Sequence, residues 1–593
     1  MNQEIILNGT VYRVTTNSED ACISLAREQI TDRIDEIAVS IRFPEPQEPQ
    51  SVSVSWTMPA KDMYAVWATT FGYNVLPLRV DWSKRTTEAR LASHAPLQSI
   101  FSQSGRNRLT LALSDASVSS RLRTGVNEER ADMTCELQLF TESPREILQE
   151  YAVRLRVDTT DEPYYETLKR VERWWGEACG YPCAYIPEAA KRAMYSTWYS
   201  YHQRTIPEEL LRECRLAKEM GMESIIVDDG WQTDDGSRGY SYCGDWRPTP
   251  AKIPDMKQFV DDVHAIGLKF ILWYSVPYVG VMSEAYERFK DMQLYQVGSG
   301  ERSWMALDPR FPEVRRYLVD TYRNAMLDWG LDGFKLDFID SIRARPETPK
   351  SDPRWDIPTL NEAIDTLLAE ITRELRAINP DVLIEFRQCY VGPVIRKYGN
   401  MFRVGDCPAD SIMNRLNTVQ LRYLLGKSAV HSDMLMWHYE DTPEAAAKQI
   451  IASLFSVLQI SVRLAEIPES HMRMLRNYMD FWNANRELLL DGELRAYHPE
   501  AQFSLVEAEK DNALVAVAYL RTPVTLEKPY LRVAVVNGSG EKGVLLETPE
   551  NARYAYTVFD CMGEILSTGK LAEKSLAALD VPDSGRVELT LCS

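Results

Sequence analysis

The chain has 593 residues, 45% of them hydrophobic, and a formal net charge of −19. That length implies two or three domains rather than one. The acidic balance argues against nucleic acid or an anionic membrane surface as partner and fits a neutral substrate better. The start, MNQEIILNGTVYRV, lacks a basic stretch followed by an apolar run, so no secretory signal is expected. No apolar stretch approaches the length of a membrane span. The ten cysteines form no C-x-x-C pair, and Cys179 and Cys183 are four apart. No H-E-x-x-H pair occurs among the seven histidines. Reduced thiols in a cytoplasm, no metal and no cofactor are the expectation.

Residues 1–180 are strand-like. SVSVSW at 51–56 alternates apolar and polar residues, and LTLAL at 109–113 and AVRLRV at 152–157 follow with turn residues between. An N-terminal β-sandwich is predicted here. From 181 to 491 short apolar runs alternate with long amphipathic ones: SIIVDD, then VDDVHAIG; KFILWY, then PEVRRYLVDTYRNAMLDWG; FKLDF, then LNEAIDTLLAEITRELRAI. Eight candidate strands fall around Ser196, Ile226, Ile271, Lys335, Ile384, Phe402, Ala429 and Ile460. Eight β-α repeats in that length predict a TIM (β/α)8 barrel in preference to an open, doubly wound sheet. After 492 the helices stop, and ALVAVAY at 513–519 begins a small C-terminal β-sandwich domain, 492–593. The predicted class is a multidomain α/β protein.

Chemistry in a TIM barrel sits at the C-terminal ends of its strands. Those ends carry Trp198 and Tyr199, then Asp228, Asp229 and Trp231, then Trp273, then Lys335 and Asp337, then Glu385 and Arg387, then Arg403, Asp406 and Asp410. Each has an ordinary explanation: an Asp after a strand caps the next helix, and a Trp packs. Asp410, before SIMNRLNTVQLRYLLG, is the best cap candidate. Accumulation over six successive strands is harder to explain without a ligand. Carboxylates, cations and aromatic faces together suit a sugar. Lys335 and Asp337, two apart on one strand, share a face, and a Lys beside an Asp favours the ionised carboxylate a glycosidase nucleophile requires.

At these residues the chain resembles glycoside hydrolase family 36, the α-galactosidases, of the clan shared with family 27. The pieces that carry the resemblance are STWYSYH, VDDGW, GDW at 244–246, ILW and FKLDF. The resemblance implies that Asp337 is the nucleophile, that Asp228 and Asp229 bind sugar hydroxyls, that Trp273 lines the glycone pocket, and that Lys335 contacts the sugar. It places Arg403 just before the acid/base. With the other strand-end residues, the substrate-binding set becomes Trp198, Tyr199, Asp228, Asp229, Trp231, Asp245, Trp246, Trp273, Lys335, Glu385, Arg387 and Arg403.

Two stretches depart from the family. Where many members carry Ser-Asp-Asn-Thr-Asp, this chain reads GDCPAD, so the acid/base is Asp406, with Asp410 as the alternative. Where many have Cys-Ser-Gly-Gly-Gly-Arg after strand five, a loop that helps read the sugar's 2-position, this chain reads EFRQC at 385–389. The expected function is an exo-acting, retaining α-galactosidase working by double displacement on a small oligosaccharide. The alternatives are another α-glycone such as an α-N-acetylgalactosaminide, a raffinose-synthase-like galactosyl transfer, or a non-catalytic sugar-binding protein. A homo-oligomer is left open.

Overall fold

The computed structural model describes residues 2–69, 72–142, 146–387 and 392–592. Alternation in the N-terminal part produces two antiparallel sheets. One runs Asn2–Leu7, Thr10–Thr16, Val52–Pro59, Asp132–Leu139, Ser120–Asn127, Arg85–Ala89. The other runs Cys22–Thr31, Ile34–Gln47, Leu148–Asp158, Asn107–Leu113, Leu97–Phe101, Ala65–Ala68, Val75–Pro77. In SVSVSW the residues Val52, Val54 and Trp56 are buried while Ser53 and Ser55 are half-buried. They meet Val39, Leu111 and Leu155 of the facing sheet in one apolar core, as a sandwich requires.

The middle of the chain closes into an eight-stranded parallel barrel. Its strands are β1 (Met194–Ser196), β2 (Ser224–Val227), β3 (Lys269–Ser275), β4 (Gly333–Asp337), β5 (Leu383–Arg387), β6 (Met401–Arg403), β7 (Ala429–Leu435) and β8 (Val457–Ile460). Each pairs with the next, and β8 closes on β1 through Met194 and Gln459. All eight strand centres read from the sequence fall within these strands. The surrounding helices form where one stripe is apolar. Leu360–Ile378 buries Ile364, Leu367, Leu368, Ile371 and Leu375, a three- and four-residue spacing. Met256–Ile266 starts where the Asp255 carboxylate accepts from the Gln258 N–H and stops at Gly267, whose φ is 90°.

A small antiparallel sheet after β3, in the order Tyr278–Gly280, Trp304–Leu307, Gln293–Val297, was not anticipated. The C-terminal part forms a seven-stranded sheet and a three-stranded one around Leu514, Val535, Leu546 and Val587. No helix among the described residues is long and apolar enough to cross a membrane.

The barrel's interior departs from the usual layers of branched apolar side chains. Lys335, Glu385, Arg403, His431, Asp433 and Gln459 are all buried there. Burial at that density is tolerable only if the groups satisfy one another.

Candidate active site

β4 ends on Asp337, and the turn that follows needs φ of 64° at Phe338. That turn brings the Phe338 N–H to 2.8 Å from Asp337 Oδ1, and Arg387 Nε donates to the same oxygen. The other oxygen, Oδ2, accepts from the Trp273 indole N–H at 2.9 Å. The expected neighbour, Lys335, is elsewhere: its Nζ lies 2.5 Å from Asp228 Oδ2. Residues two apart on a strand share a face but stand about 6.6 Å apart along it, so Lys335 occupies a deeper level than Asp337 and meets the carboxylate that follows β2. The cation against Asp337 is Arg387.

Asp228 and Asp229 part company. Asp229 Oδ2 accepts from Gln203 Nε2 at 2.8 Å and Oδ1 from Gln232 Nε2 at 2.7 Å. Burial raises its carboxyl to about 6, the two amide donors oppose the rise, and the nearby charges of Asp228 and Asp337 add to it. The backbone N–H of Asp228 donates to Thr197 Oγ1 at 3.0 Å, which sets the angle at which the pair leaves β2.

Asp406 stands at the pocket's mouth with 43% of its side chain exposed. Arg403 Nη2 donates to its Oδ1 at 2.8 Å, and Arg387 Nη1 is 3.6 Å from its Oδ2. Partial burial raises this carboxyl, but Arg403, Arg387 and Lys335 outweigh it and bring it down to about 2. Asp410 points away and caps the helix Ser411–Leu424, accepting from the Met413 N–H at 3.0 Å.

A pocket with about 310 Å³ of empty space is lined by Trp198, Asp228, Asp229, Trp273, Lys335, Asp337, Arg387, Arg403 and Asp406, together with Tyr240 and Phe338. Nine residues read from strand ends therefore converge. Five others in the substrate-binding set do not line this pocket, and each has a structural occupation. Tyr199 lies in the short helix Trp198–Tyr201 and donates its hydroxyl to Asp433 Oδ2 at 2.9 Å. Trp231 is fully buried, donates to the Trp273 carbonyl at 2.9 Å, and packs on Trp246, Tyr274 and Trp329. Trp246 packs on Tyr274 as well. Asp245 accepts from the Glu284 and Ala285 N–H groups, both at 3.0 Å, at the start of Glu284–Phe289. Glu385 is buried beneath the pocket against Gln459. Of the EFRQC stretch, Gln388 and Cys389 lie outside the described residues.

Strand-end reading missed Asp433, Tyr240, Phe338 and Gln203. Asp433 receives Arg403 Nη1 on Oδ1 and the Cys407 N–H on Oδ2 at 2.6 Å, so it fixes the Arg403 plane. Its signal was present: His431 and Asp433 alternate on β7 as Lys335 and Asp337 do on β4. Tyr240 stacks on Trp273 with centroids 6.3 Å apart. It comes from the loop after β2, where no periodicity marks it.

A family model described as Melibiase matches residues 192–491. Among curated proteins, the α-galactosidase AgaA of Geobacillus stearothermophilus is 23% identical over 364 residues, covering 57% of this chain and 47% of its own length. The α-galactosidase Mel36A of Lactobacillus acidophilus is 30% identical over 232 residues, covering 37% and 30%. The chain thus spans about half the length of AgaA, or less of the others. Among solved structures, an α-galactosidase from Lactobacillus brevis superposes with a TM-score of 0.63 at 15% identity, covering 100% of this chain and 87% of that one. AgaA in complex with raffinose gives 0.63 at 13% identity, covering 98% and 83%. At such identities the superpositions speak to the fold.

Proposed function

The chain belongs to the melibiase family, and from that premise we propose that it is an exo-acting, retaining α-galactosidase of small oligosaccharides. The observation that carries the reading is the meeting of Asp337 and Asp406 on either side of one guanidinium in a single pocket. A pocket, as opposed to an open cleft, accepts a terminal sugar. The relatives' names supply the glycone, since AgaA was crystallised with raffinose and with stachyose. Domains at 1–180, 181–491 and 492–593 remain our proposed division, with the chemistry in the middle one. A cytoplasmic setting belongs to the same reading, supported by nine unpaired cysteines among the described residues.

In the proposed cycle an Asp337 oxygen attacks the anomeric carbon as the bond to the leaving oxygen breaks. That oxygen takes the electron pair and a proton from Asp406. Asp406, now a carboxylate, takes a proton from water, and the water oxygen displaces Asp337 from the anomeric carbon. Sugar, free Asp337 and protonated Asp406 result. Oδ1 of Asp337 is occupied by Phe338 and Arg387, which leaves Oδ2, braced by Trp273, as the attacking atom. Asp228, paired with Lys335, and Asp229 are the hydroxyl-binding groups of this scheme.

A panel of nitrophenyl α-glycosides differing only in glycone tests the proposal. The galactoside should be cleaved fastest, and NMR should show α-galactose released first. Faster cleavage of the α-N-acetylgalactosaminide would move the glycone. The EFRQC stretch is the feature that favours such a shift, as is 27% identity over 173 residues to an α-D-galactosamine galactosaminidase of Flavonifractor plautii. Initial release of β-galactose would overturn retention.

A further inference from the structure

We infer that Arg387 is the positioning residue that lets Asp406 alternate between acid and base, its positive charge answering to Asp337 in one half of the cycle and to Asp406 in the other. The inference rests on the reading of Asp337 as nucleophile and Asp406 as acid/base.

Arg387 is the last residue of β5 and is 9% exposed. Its Nε donates to Asp337 Oδ1, and its Nη1 faces Asp406 Oδ2 at 3.6 Å, beyond a hydrogen bond. The guanidinium also lies 4.8 Å from the centre of the Phe338 ring, which helps to hold its plane. A guanidinium presents its donors in a rigid fork, so this one serves both carboxylates from a single orientation. The closer is Asp337.

Other titratable and charged groups face these carboxylates from the neighbouring strands and loops. Around Asp406 they are Arg403 from β6, Lys335 from β4, and, behind Arg403, Asp433 from β7 with Tyr199 after β1. Around Asp337 they are Asp229 after β2 and Tyr240, with the neutral Trp273 from β3. Arg403 cannot be the alternating group. Its second edge is held by Asp433, which no step of the reaction changes, so it biases Asp406 by a constant amount. Arg387 differs because its second partner loses its charge when the glycosyl ester forms on Asp337.

With Asp337 ionised, Arg387 is shared: it is in contact with Asp337 and faces Asp406 across the longer gap, where it joins Arg403 in favouring the carboxylate of the empty site. A sugar seated in the pocket takes the exposed part of Asp406 out of water, and that desolvation favours the protonated form that the first step needs. Once Asp337 is an ester its charge no longer offsets Arg387, which still faces Asp406, and the ionised form is favoured as the second step needs. Release of the sugar restores Asp337 and draws the cation back. In the unliganded site Arg387 already acts on Asp406, joining Arg403 and Lys335 against partial burial.

The test is a pair of variants, Arg387→Met and Arg387→Lys, each assayed across pH in two regimes. The kcat/KM for an aryl galactoside reports the first step, and kcat for a highly activated one, where release of the ester limits, reports the second. In Arg387→Met the acidic limb of kcat should move to higher pH by about 1–3 units, the range for loss of a close opposite charge. The basic limb of kcat/KM should move up by clearly less. Arg387→Lys, which keeps the charge, should hold both limbs near wild type. Equal movement of the two limbs would make Arg387 a constant bias like Arg403. A raised KM with both limbs fixed would make it a sugar contact, and a shift in Arg387→Lys as large as in Arg387→Met would remove charge as the agent. Each of these outcomes overturns the inference. Failure of the underlying reading appears separately, as absence of a trapped ester on Asp337 when wild type meets a 2-deoxy-2-fluoro galactoside with a good leaving group.

Discussion

The N-terminal sandwich and the barrel interior are both buried cores, and they are built on opposite principles. Between the two sheets the sandwich buries Val39, Val54, Leu111, Leu137 and Leu155, carbon against carbon. Inside the barrel, Lys335, Glu385, Arg403, His431, Asp433 and Gln459 are equally buried. The His431 Nε2–H donates to the Ala190 carbonyl at 2.8 Å, so Nδ1 is free to accept from Gln459 Nε2 at 3.2 Å. The other hydrogen on that nitrogen goes to Glu385 Oε2. Burial keeps His431 neutral, lowering it to about 3, which is consistent with this tautomer. Apolar burial contributes stability in proportion to area, whereas a buried ion network contributes little net stability and fixes orientation instead. The sandwich core holds the chain together, and the barrel core aims Arg403 at Asp406 and Lys335 at Asp228.

Removing the nucleophile separates the two kinds of core most sharply. Asp337→Ala should lose more than about a thousandfold in turnover while the far-UV spectrum and melting transition of the folded protein persist. Added azide should restore turnover, with β-galactosyl azide as the product. Retention of a tenth of the wild-type rate in Asp337→Asn would remove Asp337 from the role.

Leu111→Ala probes the opposite pole. Its side chain is 1% exposed in the sandwich core, and truncation should cost about 2–5 kcal/mol of stability with kcat per folded molecule unchanged. Denaturant unfolding beside active-site titration checks both halves. A changed kcat at full folding would mean that the sandwich core also aims the site.

Much of this division was legible beforehand. Period-two runs gave the sandwich, and the β-α alternation gave all eight barrel strands, because burial on one or both faces leaves its mark on sequence. Strand ends gave nine of the pocket residues. What failed was depth and direction. Lys335 and Asp337 were correctly placed on one face, yet the pattern could not say that Lys335 lies lower and meets Asp228. Asp245 and Trp231 sit in motifs rich in chemistry, but an Asp whose oxygens receive two backbone N–H groups and a Trp walled in by three aromatic rings are local solutions that only tertiary contacts reveal. Asp433 was missed because β7 was read for its position and not for its alternation.

Asp229 offers a pH-dependent measure of what polar burial costs. Its folded-state value of about 6 lies above that of an unfolded aspartate. For a raised acid the folded state is favoured most below the unfolded value, and that advantage is lost as pH rises through the folded one. Between roughly pH 4 and 6, wild type should therefore lose up to about 3 kcal/mol that Asp229→Asn does not lose. Urea midpoints across that window measure the difference. Parallel curves for the two proteins would show that Asp229 is ionised without penalty.

The smallest effect expected decides which acid of GDCPAD is the proton donor. Asp410→Ala removes an acceptor 3.0 Å from the Met413 N–H at the first turn of Ser411–Leu424, a loss worth about 1 kcal/mol. The same change should leave untouched the ratio of rates on an activated aryl galactoside and on raffinose, because the Asp410 side chain serves a helix end and not the pocket. Asp406→Ala should do the reverse. Its carboxylate lines the pocket on Arg403 and Arg387, so its loss should slow raffinose, with its poor leaving group, far more than the aryl substrate. Azide should then accelerate release from the ester, since no general base is needed by an anionic nucleophile. The two variants thus set a structural carboxylate against a chemical one within five residues of chain, and leaving-group dependence appearing in Asp410→Ala alone would transfer the acid/base role to Asp410.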